Sequence, residues 1–327
     1  MALKLAALLI GTALAMGGAC IAQTPVRAHG TAPDVFAIPD AALGDPPTFI
    51  VYGDMRFTDV RESVATNPGA RQALVARIAA EKPGALLLTG DIPWHGGDQE
   101  DYRVYREETA AWREARLRVY PVLGNHEFSG CADAACLENW WQAFPEFRGR
   151  RWYSVALGTR IRALALDSNA PLIPGSPQRA WLEQQIEDLP ATVRFVILAM
   201  HHPPIADEAL WVVRSNEHGL TTYLSTIAPH STARFVVCGA HVHNYERFEQ
   251  DGVVYLVSGG GGAKPLAVAR GPADQYQDPD FPNFHYLRFQ LAGDELSAEL
   301  IRLTDYGARS PHEWAVKDRF TVRAQPR

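Results

Sequence analysis

Five short apolar runs in this chain each lead directly into residues that commonly bind metal ions, and this feature most constrains its fold. The runs are rich in β-branched or aromatic residues and are mostly bounded by glycine, as is typical of buried strands. They cover residues 49–52, 85–89, 119–123, 195–200 and 235–238, and a sixth run covers 253–257. The first five are followed by Gly53-Asp54, Gly90-Asp91, Gly124-Asn125-His126-Glu127, His201-His202-Pro203 and Gly239-Ala240-His241-Val242-His243. Because ligands of open α/β sheets bind beyond the carboxyl ends of strands, we expect these loops to converge.

Helical patterns separate several of these runs. Asn67 and Pro68 suit the N-cap and first turn of a helix that runs to residue 81, and residues 98–116 and 177–188 have similar character. Near the C-terminus, residues 286–291 and 296–301 flank Gly293-Asp294, which predicts a hairpin. This alternation of strands and helices predicts a layered α/β fold with some parallel pairing.

The N-terminus is expected to be a targeting segment. Lys4 precedes an uncharged, mostly apolar stretch to residue 22, which is typical of a signal peptide cleaved near Ala22 or Ala28. The alternatives are a lipoprotein, cleaved and lipidated at Cys20, and a membrane-spanning anchor. Both rank below an ordinary cleaved signal peptide. We therefore expect a signal peptide over 1–22, a flexible lead-in over 23–46 and a single domain over 47–327. The mature protein would be exported, periplasmic or secreted, without a stable membrane span.

The charge argues against one class of partner, and the cysteines indicate the redox compartment. The formal net charge is −6 and no long basic run occurs, which argues against a nucleic-acid-binding surface. Cys131 and Cys136 lie close enough in sequence to pair in an oxidising compartment, whereas Cys238 lies in an apolar run and is expected to be a buried free thiol.

The residues after the runs form a coherent ligand set for a metal ion. A Gly-Asp pair alone is usually a turn and a lone His-x-His is often no site, so the weight rests on all five occurring at strand ends. Carboxylates, an amide oxygen and imidazoles together suit Zn, Mn or Fe rather than calcium. A carboxylate shared between two such ions would let them hold a hydroxide and clamp a phosphate.

The order GD…GD…GNHE…HH…GxHxH, from residue 53 to residue 243, resembles the calcineurin-like metallophosphoesterases. The stretch GAHVHNYER over 239–247 is nearest to the purple acid phosphatase-like branch. The resemblance implies a four-layer sandwich of two mixed β-sheets flanked by helices. It also implies hydrolysis of a small phosphate ester, mono- or diester, by a metal-activated hydroxide with one or two transition-metal ions (Fe, Zn or Mn).

The same resemblance implies a role for each residue. Asp91 would bridge two metals, Asn125, His201 and His241 would complete one position, and Asp54 and His243 would serve the other. His126 would contact the phosphate and aid the leaving group, and Glu127 would orient it. His202 would be a neighbour of the site rather than a ligand.

Two positions depart from the family pattern. Arg56 stands where many members have a ligating histidine, and Trp94 stands where the purple enzymes have a ligating tyrosine. Arg56 cannot bind a cation but could hold phosphate in a bidentate manner. Three hypotheses follow: a two-metal hydrolase, a one-metal enzyme in which Arg56 grips phosphate, and a degenerate non-catalytic protein that binds metal or phosphate.

Overall fold

Two β-sheets of mixed strand direction carry the fold in the computed structural model, which describes residues 35–207, 215–279, 281–307 and 311–326. The strands are β1 (Val35–Ile38), β2 (Thr48–Tyr52), β3 (Ala85–Leu88), β4 (Val119–Pro121), β5 (Tyr153–Leu157), β6 (Ile161–Ala165), β7 (Phe195–Ala199), β8 (Arg234–Gly239), β9 (Tyr245–Gln250), β10 (Val253–Ser258), β11 (Phe284–Ala292), β12 (Glu295–Leu303) and β13 (Trp314–Arg323). The helices are α1 (Pro68–Glu81), α2 (Gln99–Glu108), α3 (Ala110–Glu114), α4 (Asp133–Ala143), α5 (Pro177–Glu187) and α6 (Ser215–Ile227), with short 3-10 turns at Asp40–Ala42, His126–Phe128, Pro145–Phe147 and Ala228–His230.

The strand order places the carboxyl ends of the predicted runs side by side. One sheet has the order β1-β5-β6-β7-β8-β10-β9, and the other has the order β13-β12-β11-β2-β3-β4. Strands β2, β3 and β4 are mutually parallel, as are β6, β7, β8 and β10. The loops that leave β2, β3, β4, β7 and β8 carry the motif residues, so parallel pairing brings them to common sheet edges.

The apolar core explains why the central strands read as continuous apolar runs. Every residue of β3, β7 and β10 is buried, because both faces of these strands are covered. One core cluster joins strands of both sheets with α1, and a second joins the outer face of the seven-stranded sheet with α5 and α6. The structure thus has the architecture predicted by the resemblance: two mixed sheets flanked by helices.

Most of the predicted elements are confirmed, with two corrections. Helix α1 begins after Asn67, whose side chain accepts a hydrogen bond from the Ala70 amide, and β11 and β12 form the expected hairpin. The helix predicted over 98–116 is two helices, broken at Thr109. Part of the predicted flexible lead-in is ordered, because β1 pairs in parallel with β5 and Phe36 packs against Tyr153.

The predicted signal peptide over 1–22, with Cys20, lies outside the described residues. Within the residues that the structure describes, no helix combines the length and apolarity needed to cross a bilayer. Cys131 and Cys136 form the predicted disulfide, and Cys238 is a buried free thiol as predicted.

Candidate metal centre

Unusual backbone geometry marks the loops that carry the motif residues. Asp54, Arg56, Asp91 and His241 all have positive φ, between 49° and 68°. They are four of the seven non-glycine residues with positive φ in the described chain. Such residues are costly and cluster at functional sites, where the surrounding structure holds them in place.

Glycines let the loops approach one another closely. A Cβ on Gly124 would lie 2.4 Å from the Asp91 Oδ1 atom. On the opposite side, a Cβ on Gly259 would lie 2.6 Å from the Asp54 Oδ2 atom. Gly259 belongs to the turn over 258–262, so this glycine-rich turn forms a wall of the site, and larger residues would push the carboxylates away.

The first group of motif residues surrounds the His201 ring. Its Nε2 atom lies 2.9 Å from Asn125 Oδ1, 3.1 Å from His241 Nδ1 and 3.2 Å from Asp91 Oδ1. Because His201 Nδ1 is 2.9 Å from the Thr89 carbonyl oxygen, which can only accept, Nδ1 carries the proton and Nε2 presents a lone pair. Nε2 and the Asn125 and Asp91 oxygens are therefore acceptors facing one another, which is the arrangement that a cation requires.

The second group contains Asp54 and His243. His243 Nδ1 donates to the Lys264 carbonyl at 2.6 Å, which leaves its Nε2 lone pair 3.5 Å from Asp54 Oδ1. Both Nε2 and Oδ1 are buried and lack a hydrogen-bond partner among the described residues. The other Asp54 oxygen accepts from the His241 amide at 2.7 Å. Buried, unpaired polar atoms are costly, and a metal ion between them would remove that cost.

These two groups meet at Asp91. Asp54, Asp91 and His201 offer ligand atoms that all lie within 4.8 Å of one another. All three side chains are fully buried. The donor set and its buried, unpaired atoms therefore fit a bound metal ion.

Arg56 and His126 lie at the more open side of the centre. Arg56 Nη2 is 3.3 Å and His126 Nε2 is 3.7 Å from the same atom, Asp91 Oδ2. Their side chains are 12 % and 14 % exposed, whereas that of Asp91 is 0 % exposed, so both groups can meet an incoming ligand. His126 Nδ1 donates to the Trp94 carbonyl at 2.7 Å, which directs Nε2 toward the centre.

Glu127 does not make the contact that was expected of it. Its carboxylate accepts from the backbone amides of Asp91, Ile92 and Gly124, at 3.0, 2.9 and 2.6 Å. The ring of His126 is instead held by the Trp94 carbonyl. The prediction that Glu127 orients His126 is therefore corrected: Glu127 lies within the 3-10 turn His126–Phe128, and its buried side chain ties together the loops that carry Asp91 and Asn125.

The adjacent histidines make different contacts, although His202, His201 and His241 also offer ring nitrogens that all lie within 4.8 Å of one another. His201 contacts Asp91 and Asn125, whereas His202 Nδ1 lies 2.7 Å from the Ser168 hydroxyl. The ring of His202 is 4.5 Å from that of His241, so it borders the centre from behind. The Thr89 and Lys264 carbonyls were not identified from sequence, because a backbone carbonyl has no residue-specific signal. Ser168 was not identified either, since it belongs to none of the motifs.

Burial and neighbouring charges shift the pKa values of several groups at the centre. Burial alone would raise the pKa of Asp91, but His201, His126 and Arg56 outweigh it and lower that pKa. Burial, reinforced by His201, lowers the pKa of His241 to about 3. Burial also lowers the pKa of His126. The imidazole of His241 is thus neutral at ordinary pH, the state in which histidine binds metals.

A further carboxylate cluster involves none of the residues predicted to bind metal, although Glu246 belongs to the GAHVHNYER stretch. Asp207, Glu246 and Asp274 bring carboxylate oxygens within 4.8 Å of one another, and Arg270 donates to Asp274 at 2.5 Å. This acidic cluster contains no imidazole. Burial raises the pKa of Glu246 to about 7.

Comparisons with known proteins agree with the geometry. The family profile described as calcineurin-like phosphoesterase matches residues 47–245. A probable cyclic nucleotide phosphodiesterase of Synechococcus is 28 % identical over 226 residues, covering 66 % of this chain and 75 % of that protein. A 3',5'-cyclic-nucleotide phosphodiesterase of Nostoc is 22 % identical over 196 residues, covering 57 % of this chain and 66 % of that protein.

The fold comparison points the same way. The solved structure of a purple acid phosphatase from yellow lupin seeds superposes with a TM-score of 0.69 at 17 % identity. The match covers 84 % of this chain but only 53 % of the lupin chain, so the chain spans about half of that protein. At this identity the similarity concerns the fold.

Proposed function

Because the chain belongs to the calcineurin-like phosphoesterase family and is a hydrolase of phosphoric esters, we propose that it acts on small phosphodiesters, cyclic nucleotides among them. The observation that carries this proposal is the group of buried acceptors around Asp91, with Arg56 and His126 on its open side. The preference for diesters is supported by two relatives, both of which are cyclic nucleotide phosphodiesterases by name.

We propose that Asp91 bridges two metal positions. Asn125, His201 and His241 would complete the first, and Asp54 and His243 the second. Metal ions held there would supply Lewis acidity toward the phosphoryl group and activate water for attack. Fe, Zn and Mn all suit this mixture of oxygen and imidazole ligands.

The chain's own residues would perform the remaining steps. Arg56 presents a planar guanidinium that can bind two phosphoryl oxygens and neutralise charge that develops on them. His126, in its imidazolium form with Nδ1–H held by the Trp94 carbonyl, would give the Nε2 proton to the departing oxygen and return to the neutral imidazole. Glu127 would keep the Asp91 and Asn125 loops at a fixed separation through its three amide contacts.

Phosphomonoester hydrolysis is a second candidate, favoured by a specific observation. Arg56 adds a full positive charge beside the metal ligands, and it carries two terminal nitrogens in a fork that suits the doubly charged phosphate of a monoester. Diesters carry only one negative charge and gain less from that cation.

A substrate panel separates the two candidates. Protein loaded separately with Fe, Zn or Mn is assayed with bis(p-nitrophenyl) phosphate, p-nitrophenyl phosphate and 3',5'-cyclic AMP. Diester hydrolysis is expected to have the higher kcat/KM, and chelation should abolish all turnover. A higher kcat/KM for the monoester would favour the second candidate, and turnover that survives chelation would contradict the metal centre.

We further propose that the protein is exported. The apolar stretch over 5–22 and the Cys131–Cys136 disulfide support this proposal, because disulfides persist in oxidising compartments. N-terminal sequencing of protein recovered from a bacterial periplasm should begin after Ala22 or Ala28. An intact N-terminus in the cytoplasmic fraction, with reduced Cys131 and Cys136, would contradict it.

A further inference from the structure

Trp94 contacts both Arg56 and His126, two of the partly exposed residues of the metal centre. The His126 ring stacks on its indole with centroids 4.6 Å apart and planes 20° from parallel. The Arg56 guanidinium carbon lies 4.8 Å from the indole centroid. We propose that Trp94 is a positioning residue that holds Arg56 and His126 as a pair facing Asp91 Oδ2. In this arrangement Arg56 binds the phosphoryl group and His126 protonates the leaving group. This inference rests on the proposed hydrolysis of phosphate esters.

His126 needs the indole in addition to the backbone. The Trp94 carbonyl fixes which nitrogen carries the proton and restricts the ring to orientations that keep Nδ1 within reach of it. The χ2 torsion of histidine has broad minima, so torsional preference alone does not set the ring plane. A flat aromatic neighbour narrows the range of ring planes further, and stacking on the indole thereby sets the direction of Nε2.

Arg56 has few other restraints. Its guanidinium contacts Asp91 Oδ2, and its Nε atom has no hydrogen-bond partner among the described residues. A long arginine side chain loses considerable entropy when it is ordered. The indole face offsets part of that cost through a cation–π contact and leaves the terminal nitrogens directed at the centre.

Trp94 is itself well anchored. Its amide donates to the Phe57 carbonyl at 3.0 Å, and Pro93 pairs with Phe57 in an isolated parallel bridge. These contacts join the segment after Asp91 to the segment after Arg56. The backbone of Trp94 is therefore fixed where these two segments meet, which places the indole between Arg56 and His126.

Two substitutions test the proposal, Trp94→Phe and Trp94→Ala, each in metal-loaded protein. The readouts are metal content, kcat for aryl phosphodiesters of graded leaving-group pKa, and binding of inorganic phosphate by calorimetry. Trp94→Ala should slow hydrolysis of esters with poor leaving groups by about 10–100-fold, as expected for a misplaced catalytic group. It should slow esters with good leaving groups by less than about threefold and weaken phosphate binding by about tenfold. Trp94→Phe, which keeps a stacking ring, should remain within about threefold of the wild type.

Trp314 provides a matched control. It also has an arginine over its ring, Arg77 at 5.6 Å, and an aromatic neighbour, Tyr286 at 6.3 Å, yet it belongs to β13. Trp314→Ala and Trp314→Phe should change neither the leaving-group dependence nor phosphate binding.

Three outcomes would overturn the proposal: an equal loss for all leaving groups, a Trp94→Phe variant as impaired as Trp94→Ala, or loss of metal from either. If wild-type protein cleaves only monoesters, aryl monoesters replace the diesters. If wild-type protein cleaves neither monoesters nor diesters, the proposed function fails. Unchanged phosphate binding in Trp94→Ala would, independently of that result, refute the role of Trp94.

Discussion

The two halves of the metal centre share Asp91 but are built differently. Around His201 Nε2, an amide oxygen, a second imidazole nitrogen and an Asp91 oxygen all lie within 3.2 Å. On the other side, Asp54 Oδ1 and His243 Nε2 face each other at 3.5 Å without further partners among the described residues. In the proposed centre, the first half thus gathers more candidate ligands, whereas the second has two, Asp54 and His243, besides Asp91.

Arg56 accounts for much of the difference. It follows Asp54 by two residues, at the position where many family members carry a histidine ligand, and its guanidinium approaches Asp91 Oδ2 at 3.3 Å. A fixed positive charge there opposes a second cation by simple repulsion. We therefore expect tight metal binding at the His201 half and weaker binding at the Asp54 half, with Arg56 supplying charge that a fully bound second ion would otherwise supply.

Removal of the shared carboxylate should have the largest effect. Asp91→Asn is expected to empty both halves and to lower phosphodiester hydrolysis by about 10⁴-fold or more, since catalysis depends on metal. Asp54→Asn should empty mainly the weaker half. Metal stoichiometry by elemental analysis checks this, with Asp318→Asn, a carboxylate that pairs with Arg247, as the control. Equal metal loss in the Asp91 and Asp54 variants would contradict the bridging assignment.

His126 should matter for chemistry rather than for metal binding. His126→Ala is expected to retain both ions and to lose about 10²–10⁴-fold in kcat, the usual range for a positioned general acid. The loss should shrink for esters whose leaving group needs little protonation, as measured with a series of aryl esters. A variant that has lost its metal would instead place His126 among the ligands of one half.

Arg56→His would test directly whether Arg56 makes the halves unequal. The variant should raise metal affinity at the Asp54 half and weaken inhibition by inorganic phosphate by about 10–100-fold, because a charge-assisted bidentate contact is lost. Arg56→Lys keeps the charge but loses the fork, so it should weaken phosphate inhibition without strengthening metal binding. Unchanged stoichiometry and inhibition in Arg56→His would place Arg56 outside the functional centre.

The sequence predicted the strands that precede the motif loops better than it predicted the other strands. Buried strands such as β3 and β7 are continuous apolar runs, so the loops after them were identified correctly. The edge strands β9 and β13 were missed because they carry polar residues and give little apolar signal. Strands β1, β5 and β6 were missed although they are mostly apolar: each has only four or five residues, and β1 lies in the stretch interpreted as a lead-in. The amide contacts of Glu127 were also missed, since backbone partners depend on loop conformation, which residue type does not specify.

The acidic cluster of Asp207, Glu246 and Asp274 offers a last contrast with the metal centre. It gathers carboxylates without imidazoles, and Arg270 forms an ion pair with Asp274. Burial raises the pKa of Glu246 from 4.5 to about 7, with further increases from Asp207 and Asp274 that Arg270 partly opposes. The folded protein therefore binds more protons than the unfolded chain between pH 4.5 and about 7, and stability from this group falls as pH rises through that window.

Glu246→Gln cannot titrate, so its free energy of unfolding should exceed that of the wild type by about 1–3 kcal/mol at pH 8, at about 1.4 kcal/mol per pKa unit. At pH 4.5 the two proteins should be equally stable, because Glu246 is then protonated in the folded state. Urea unfolding at both pH values measures the difference, and elemental analysis should show unchanged metal content. A variant less stable than the wild type at pH 8 would mean that the ionised carboxylate is stabilised in the fold. Loss of metal from Glu246→Gln would extend the metal centre to a cluster that has no imidazole.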